Sequence, residues 1–383
     1  MQRARRHQSV LAQEGSRCAS GTARPSTITR DNTVNHAAHE TKALQRPGIL
    51  ATAGAFGFGA APLGNLYARV AEAQAEQTLR AAWETGIRYF DTAPFYGSGL
   101  SEQRVGRFLA GYPRDEFVLS TKVGRLLVPD PTVPEVQHGY IGGLPNRIEY
   151  DYSADGARRS IESSLARLGL DRIDVAYIHD VAPDTHGDDW LRQYSIAFHG
   201  AMRALSDLRD EGVIRAWGLG VNRIEPCLMA LRDAAPDLFL LAGRYTLLDT
   251  SAHHELIPAC DAKGVRLVIG GPYNSGLLAG GTTFEYAPAP ADMLEKRHRL
   301  AALCERYGVP LKAAALQFCH APAAVACVIA GSRTANEVRE NWTLMHTPIP
   351  AEFWADLKRR GLIPEDAPVP APASLGATPS SRR

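Results

Sequence analysis

Four side chains at the ends of apolar runs carry the chemical interest of this sequence. The run Ile87–Phe90 is followed by Asp91, and Tyr96 comes five residues later, in a loop punctuated by Pro94, Gly97 and Gly99. The run FVLST at 117–121 ends against Lys122, and the run within RIDVAYIHD at 172–180 ends against His179. Each residue alone has an ordinary explanation. An Asp after a strand makes an Asx-turn, a Lys snorkels at a surface, and a loop Tyr or His covers a little apolar area. Together they make a proton-transfer set. A free phenol has a pKa of about 10 and is a poor base at neutral pH, and a nearby ammonium favours its phenolate. Lys122 can supply that charge, and Asp91 can offset the cost of keeping an ammonium near a core by pairing with it. His179 can hydrogen-bond a substrate oxygen and fix its orientation. Such a Tyr takes a proton from a hydroxyl or returns one to a carbonyl. The accompanying hydride needs a nicotinamide-type carrier, because no side chain transports hydride.

The elements that must position these groups follow one rhythm. Apolar runs of strand length occur near Ala55 and at Ile87–Phe90, Phe117–Thr121, Ile173–Ile178, Ile214–Leu219, Leu238–Leu241, Val265–Ile269 and Val325–Ile329. Helical patterns follow them at 70–85, 101–109, 154–168, 195–211, 224–234, 252–263, 291–308 and 334–345. In the segment 154–168, Ala157, Ile161, Leu165 and Leu168 make one stripe at helical spacing, with Gly169 placed to end it. Continuous rather than alternating apolar strands imply a parallel sheet covered by helices. Eight units suit a closed (β/α)8 TIM barrel, class α/β, and no G-x-G-x-x-G follows the first strand. Such a barrel carries its active site at the C-terminal ends of its strands, where all four residues fall.

The composition narrows the class. Of 383 residues, 45% are hydrophobic and 22% charged, with a formal net charge of +1, so nothing favours nucleic acid or an acidic membrane surface. No apolar run is long enough to span a bilayer. Six cysteines without a C-x-x-C pair argue against a zinc site or disulfide framework, and the expectation is a cytoplasmic enzyme without a metal. The first 46 residues hold eight Lys or Arg against three acids, with no periodicity, and read as a disordered extension. Either a targeting segment or a start-site artefact accounts for it. Residues 47–362 read as the barrel, and 363–383 as a flexible Pro/Ala/Ser-rich tail. Oligomeric state is not legible.

The motifs FDTAPFYG, STK and YIHD resemble those of the aldo-keto reductase superfamily, whose catalytic Asp, Tyr, Lys and His sit in them. The stretches GFGAAPLGNLY, YDYSADGARRSIESSLARLGLDRIDVAYIHD, LLAGRYTLLD, GGPYNSGLLAGG and FEYAPAP are further similar to the aldose (L-fucose, galactose) 1-dehydrogenase and pyridoxal 4-dehydrogenase branch. The resemblance implies that Tyr96, Asp91, Lys122 and His179 are catalytic and that a nicotinamide dinucleotide lies across the later strands. Asn222 in GLGVN is the retained carboxamide contact, with Val221 in place of the usual Ser. Ala242 stands where a Gln is common, and Gly270 where an aromatic residue stacks on the nicotinamide. Ser275, Gly276 and Leu277 continue the cofactor loop. After the eighth strand, Gly331, Ser332 and Arg333 open a helix, whose N-terminus suits a phosphate. Where relatives preferring NADP carry a Lys and an Arg, this chain carries Gly331 and Glu337. A Glu repels a 2′-phosphate and accepts from a ribose hydroxyl, so NAD is expected, with NADP still reachable by Arg333. Glu340 and Asn341 match the adenine-contacting pair. The implied reaction oxidises a cyclic hemiacetal, a sugar or pyridoxal, to a lactone, with Tyr96 as base and hydride passing to NAD. The alternative is reduction of an aldehyde or ketone by NADPH. The substrate loops should be 56–66, 124–152, 181–190 and 273–290, with Arg125, His138 and Tyr140 as hydroxyl contacts.

Overall fold

The computed structural model describes residue 50 and residues 53–371. The basic arm 1–46, with Cys18, and residues 372–383 lie outside the described residues. Eight strands form the centre: β1 (Phe56–Gly59), β2 (Tyr89–Asp91), β3 (Val118–Val123), β4 (Val175–His179), β5 (Ala216–Val221), β6 (Leu238–Ala242), β7 (Arg266–Gly270) and β8 (Val325–Gly331). Each pairs in parallel with its neighbours in chain order, and β8 closes on β1 from Phe56↔Val328 to Gly59↔Gly331. The barrel expected from the strand rhythm is the one formed.

The pleat explains which side chains reach the interior. Tyr89, Val118, Val175, Tyr177, Leu238, Leu240, Val268, Cys327 and Ile329 fill the inside of the cylinder. Their chain neighbours Phe90, Leu119, Ala176 and Ile178 face the helices instead. Alternation by two residues then puts Ser120 on the inner face of β3, where its hydroxyl accepts from the Tyr89 phenol at 2.9 Å. One step further up each strand lie Asp91, Lys122 and His179. The top layer of the barrel interior is therefore polar because the same period that buries Tyr89 and Tyr177 ends on charged residues.

The helices depart from expectation in a few places. The helix at 154–168 has the expected bounds, with the Ser153 hydroxyl accepting from Gly156 N–H and Gly169 left-handed at φ 65°. The segment read as one helix over 195–211 is two, Trp190–His199 and Ala201–Asp210, broken at Gly200. A Cβ there would lie 2.7 Å from the Tyr152 carbonyl, so backbone approach decides the break. Two helices escape the rhythm. Leu311–His320 is buried over most of its surface and shows no amphipathic stripe, and Ala351–Arg359 follows no strand. Residues 363–371, assigned by composition to the tail, lie against the barrel, with Ile363 and Ala367 buried and Asp366 accepting from His253 at 3.0 Å. The five described cysteines are buried and unpaired. Among the described residues, no helix is long and apolar enough to cross a membrane.

Candidate active site

Asp91 ends β2 at 1% exposure, and Lys122 of β3 reaches it at 2% exposure. The Lys122 ammonium donates to Asp91 Oδ2 at 2.7 Å and to the Thr92 carbonyl at 3.0 Å. The Ser120 hydroxyl donates to Asp91 Oδ1 at 2.7 Å. The pair is thus saturated on the carboxylate side and points its cation outward. Burial pushes the Asp91 carboxyl up, against the pull of Lys122.

Tyr96 stands over this cation. Its ring centroid is 4.6 Å from Lys122 Nζ, and the His179 ring lies 6.0 Å away, edge-on at 86°. The loop that presents it is held from both sides. Tyr96 N–H donates to the Ala93 carbonyl, Ser101 N–H donates to the Tyr96 carbonyl, and the Ser101 hydroxyl donates to the Ala60 carbonyl. Gly64 and Gly97 are pressed together beside it: a Cβ on Gly97 would sit 2.4 Å from the Gly64 carbonyl oxygen, at φ 64°. Only glycine meets both demands.

The expected acidification of Tyr96 is not what the protein alone produces. Burial pushes the phenol well above its ordinary value, and the Asp91 carboxylate adds to that. The reason is geometric. Asp91 already neutralises Lys122, and the ammonium faces the ring of Tyr96. The protein by itself holds a protonated phenol, ready to donate. His179 is held well below its usual value by burial, then by Arg125 and Lys122, so it is a neutral imidazole. Its Nδ1 has no partner, and its Nε2 lies 3.4 Å from Asp180.

Tyr96, Lys122 and His179 open into a cavity of about 600 Å³, within the range of small-molecule sites. All four expected loops contribute to its wall: Ala61 and Leu66 from the first, Arg125 and Tyr140 from the second, Asp184 from the third, Tyr286 from the last. Arg104, almost fully buried, ties the first loop by donating to the carbonyls of Leu63 and Val70 and to Asn65 Oδ1. Asn65 in turn donates to the Ile141 carbonyl, joining that loop to the second. The long connection 124–152 is not irregular. It contains an antiparallel hairpin, Arg125–Pro129 with Asn146–Tyr150.

The cofactor candidates divide into two groups. Asn222 and Ser275 line the cavity. Gly270 ends β7 paired with Ala242 and is not itself in the cavity wall, which Ala242 and Gly271 line, and Gly276 and Leu277 follow Ser275 in the same loop. The second group lies beyond the end of β8 and does not line the cavity. There Asn341 donates to Ser332 Oγ at 3.2 Å and accepts from the Tyr273 phenol at 2.7 Å, which links it to the Ser275 loop. Glu340 is half-exposed and paired with Lys312. Arg333 is turned toward the Leu66 carbonyl. Glu337 is engaged: its Oε2 accepts from Arg333 N–H at 2.6 Å and from Thr334 N–H at 3.2 Å, in a reciprocal capping box. Sequence reasoning did not single out Asp180, Arg244, Asn274 and Tyr286, which also line the cavity. Asp180 had a signal, since it directly follows His179. The others are brought in by loop folding. The site fits a dinucleotide, because the buried Asn274 Oδ1 lacks any protein partner where the cavity runs past Gly243 and Gly271.

A closed parallel barrel whose upper rim gathers Tyr, Lys, Asp and His around a cavity has groups able to move a proton beside a hydride-carrying cofactor. The profile of the Aldo/keto reductase family matches residues 55–360, and the chain belongs to that family. It is 42% identical over 340 residues to a pyridoxal 4-dehydrogenase of Microbacterium luteolum, covering 85% of this chain and 98% of that one. It is 41% identical over 319 residues to a D-threo-aldose 1-dehydrogenase of a Pseudomonas species, covering 81% and 94%. Among solved structures, an aldo-keto reductase from Bacillus halodurans in its holo form superposes with a TM-score of 0.60 at 28% identity, covering 79% of this chain and 91% of that one. The protein is an oxidoreductase acting on CH–OH groups.

Proposed function

We propose that the protein oxidises a cyclic hemiacetal to a lactone with NAD as hydride acceptor. The observation that carries the reaction is the single cavity onto which Tyr96, Lys122 and His179 converge, with Asp91 behind them. The two most similar relatives named above act, by their names, on pyridoxal and on an aldose, and both compounds close to internal hemiacetals. A hemiacetal yields its lactone directly, so no water has to be activated.

A nicotinamide dinucleotide held by Asn222 and the Ser275 loop would supply the hydride acceptor for the anomeric carbon. Tyr96, as its phenolate, takes the proton of the anomeric hydroxyl while the C–O bond becomes C=O. Lys122 stabilises the phenolate, and Asp91 keeps the ammonium in place. His179, neutral, donates a hydrogen bond to the reacting oxygen and so orients it. In reverse, the protonated phenol that burial favours gives its proton to a carbonyl.

The preference for NAD rests on Glu337. Its carboxylate occupies the two backbone N–H groups at the start of the helix Ala335–Met345, donors that a 2′-phosphate would otherwise use. A fixed negative charge there repels a phosphate and leaves a ribose hydroxyl tolerated. The test is a screen of fucose, galactose, arabinose and pyridoxal with NAD and with NADP, following absorbance of the reduced nucleotide. Turnover with NAD and accumulation of lactone are expected. Faster oxidation with NADP would overturn the assignment of Glu337, and failure with every hemiacetal would overturn the reaction.

A further inference from the structure

We propose that Arg125 and Asp180 form a subsite that reads substrate hydroxyls, holding a vicinal diol of an aldose next to the reacting carbon. This rests on the hemiacetal-oxidising reading above and deepens it, because it chooses the sugar over the pyridine ring. Asp180 follows His179 directly and is left-handed at φ 48°, a conformation uncommon outside glycine that collects at functional sites. That turn brings its carboxylate back to the cavity, 3.4 Å from His179 Nε2. Arg125 comes from another element. It follows Gly124, where a Cβ would strike the Tyr152 ring at 2.4 Å, and it opens the hairpin of the second loop. Its guanidinium donates to Asp180 Oδ2 at 2.5 Å and lies 4.0 Å above the Phe95 ring. Both residues line the cavity with Tyr96, Lys122 and His179.

A purely structural ion pair does not account for this placement. Buried pairs gain little over apolar packing of the same volume, so one set into the wall of a reactive cavity calls for a polar occupant. Among the described residues, the Arg125 guanidinium makes one hydrogen bond, through Nη2 to Asp180 Oδ2, so its other terminal nitrogen is unengaged at the cavity wall, and only one oxygen of Asp180 is taken by it. The pair therefore presents a spare donor beside a spare acceptor. Adjacent hydroxyls on a sugar ring offer the matching acceptor and donor, while Phe95 and Tyr140 supply apolar faces for the ring C–H groups. The reacting oxygen must sit between Tyr96 and His179. Asp180, in contact with His179, then reaches the hydroxyl on the carbon next to the anomeric one. Pyridoxal has no such diol; its ring carries a phenolic oxygen and a nitrogen instead.

The experiment compares galactose, 2-deoxygalactose and pyridoxal with NAD in the wild-type enzyme and in Asp180→Asn. Loss of the neighbouring hydroxyl should lower kcat/KM of the wild type by about 10²-fold, the scale of a charged hydrogen bond left unmade. In Asp180→Asn the preference for galactose over its deoxy analogue should largely vanish, while NAD affinity by tryptophan fluorescence stays unchanged. The substrate comparison in the wild type stands even where the variant folds poorly. Equal use of both sugars, or a deoxy preference that survives in Asp180→Asn, overturns the subsite and leaves lactone formation intact. So does a wild type that oxidises pyridoxal better than galactose. An enzyme that oxidises none of the three overturns the parent reading with it.

Discussion

Two buried carboxylates at opposite ends of the barrel look alike until their cations are followed. At the lower end, just before β4, Asp174 Oδ2 accepts from Leu119 N–H at 2.8 Å and from Arg114 at 2.6 Å, with Arg172 and Arg215 3.5 and 3.6 Å from its other oxygen. Its three cations are 17%, 34% and 48% exposed, so their charge is shed into water. At the upper end, Asp91 meets a single cation that is itself buried and has no route to solvent except the cavity. The lower network ties strand starts together. The upper pair holds a charge in a dry place with a phenol and an imidazole on its free side. Low dielectric makes that charge strong where chemistry can use it. An ion pair in a barrel is thus structural or functional according to what lies on the far side of the cation.

The largest effect that tests this contrast is on rate. Tyr96→Phe should lower turnover at least about 10²-fold, the usual consequence of losing a positioned acid-base group, with nucleotide affinity near normal in a fluorescence titration. Unchanged turnover would mean that the upper pair serves the fold alone. Next comes stability. Lys122→Met strands Asp91 in the core and should cost about 3–5 kcal/mol in urea unfolding, besides abolishing turnover. Asp174→Asn leaves cations that can turn to solvent and should cost about 1–3 kcal/mol, with turnover per folded molecule preserved. If Asp174→Asn abolished turnover in folded protein, the division between the two ends would fail.

The pH dependence is more modest. Burial and Asp91 raise the Tyr96 phenol, so the base form is scarce at neutral pH. Oxidation should therefore accelerate with rising pH through the alkaline range, and reduction should slow there. An oxidation rate that fell with alkali would identify another base. Smallest is Glu337→Gln, which keeps the capping acceptor but removes its charge. The ratio of NAD to NADP affinity should shrink by about tenfold, or roughly 1.4 kcal/mol, as read by competitive fluorescence titration.

Several features of the site were legible because they are local. A continuous apolar run of strand length that ends on a polar residue announces itself, and the runs ending at Asp91, Lys122 and His179 each do so. Asn222 and Ser275, singled out by resemblance, do line the cavity. Arg244, Asn274 and Tyr286 were not legible, because they reach it through loops with no periodic pattern. Arg244 donates to the Asn222 carbonyl at 2.7 Å and pairs with Glu285, contacts that span 22 and 41 positions of the chain. The charge state of Tyr96 was misread for a related reason. Proximity of Lys122 could be inferred from strand ends, but not that Asp91 absorbs its charge and that burial then dominates.

By itself, the sequence determined the cylinder of eight strands and the layer on which an acid, an amine and an imidazole must lie. Those follow from hydrophobic period, which is a property of neighbours along the chain. Only the folded chain decided how far the ammonium is neutralised, that Glu337 is spent on a helix cap, and that Arg125 meets Asp180. Each of those is set by desolvation and by distances between residues remote in sequence, and no local pattern encodes either.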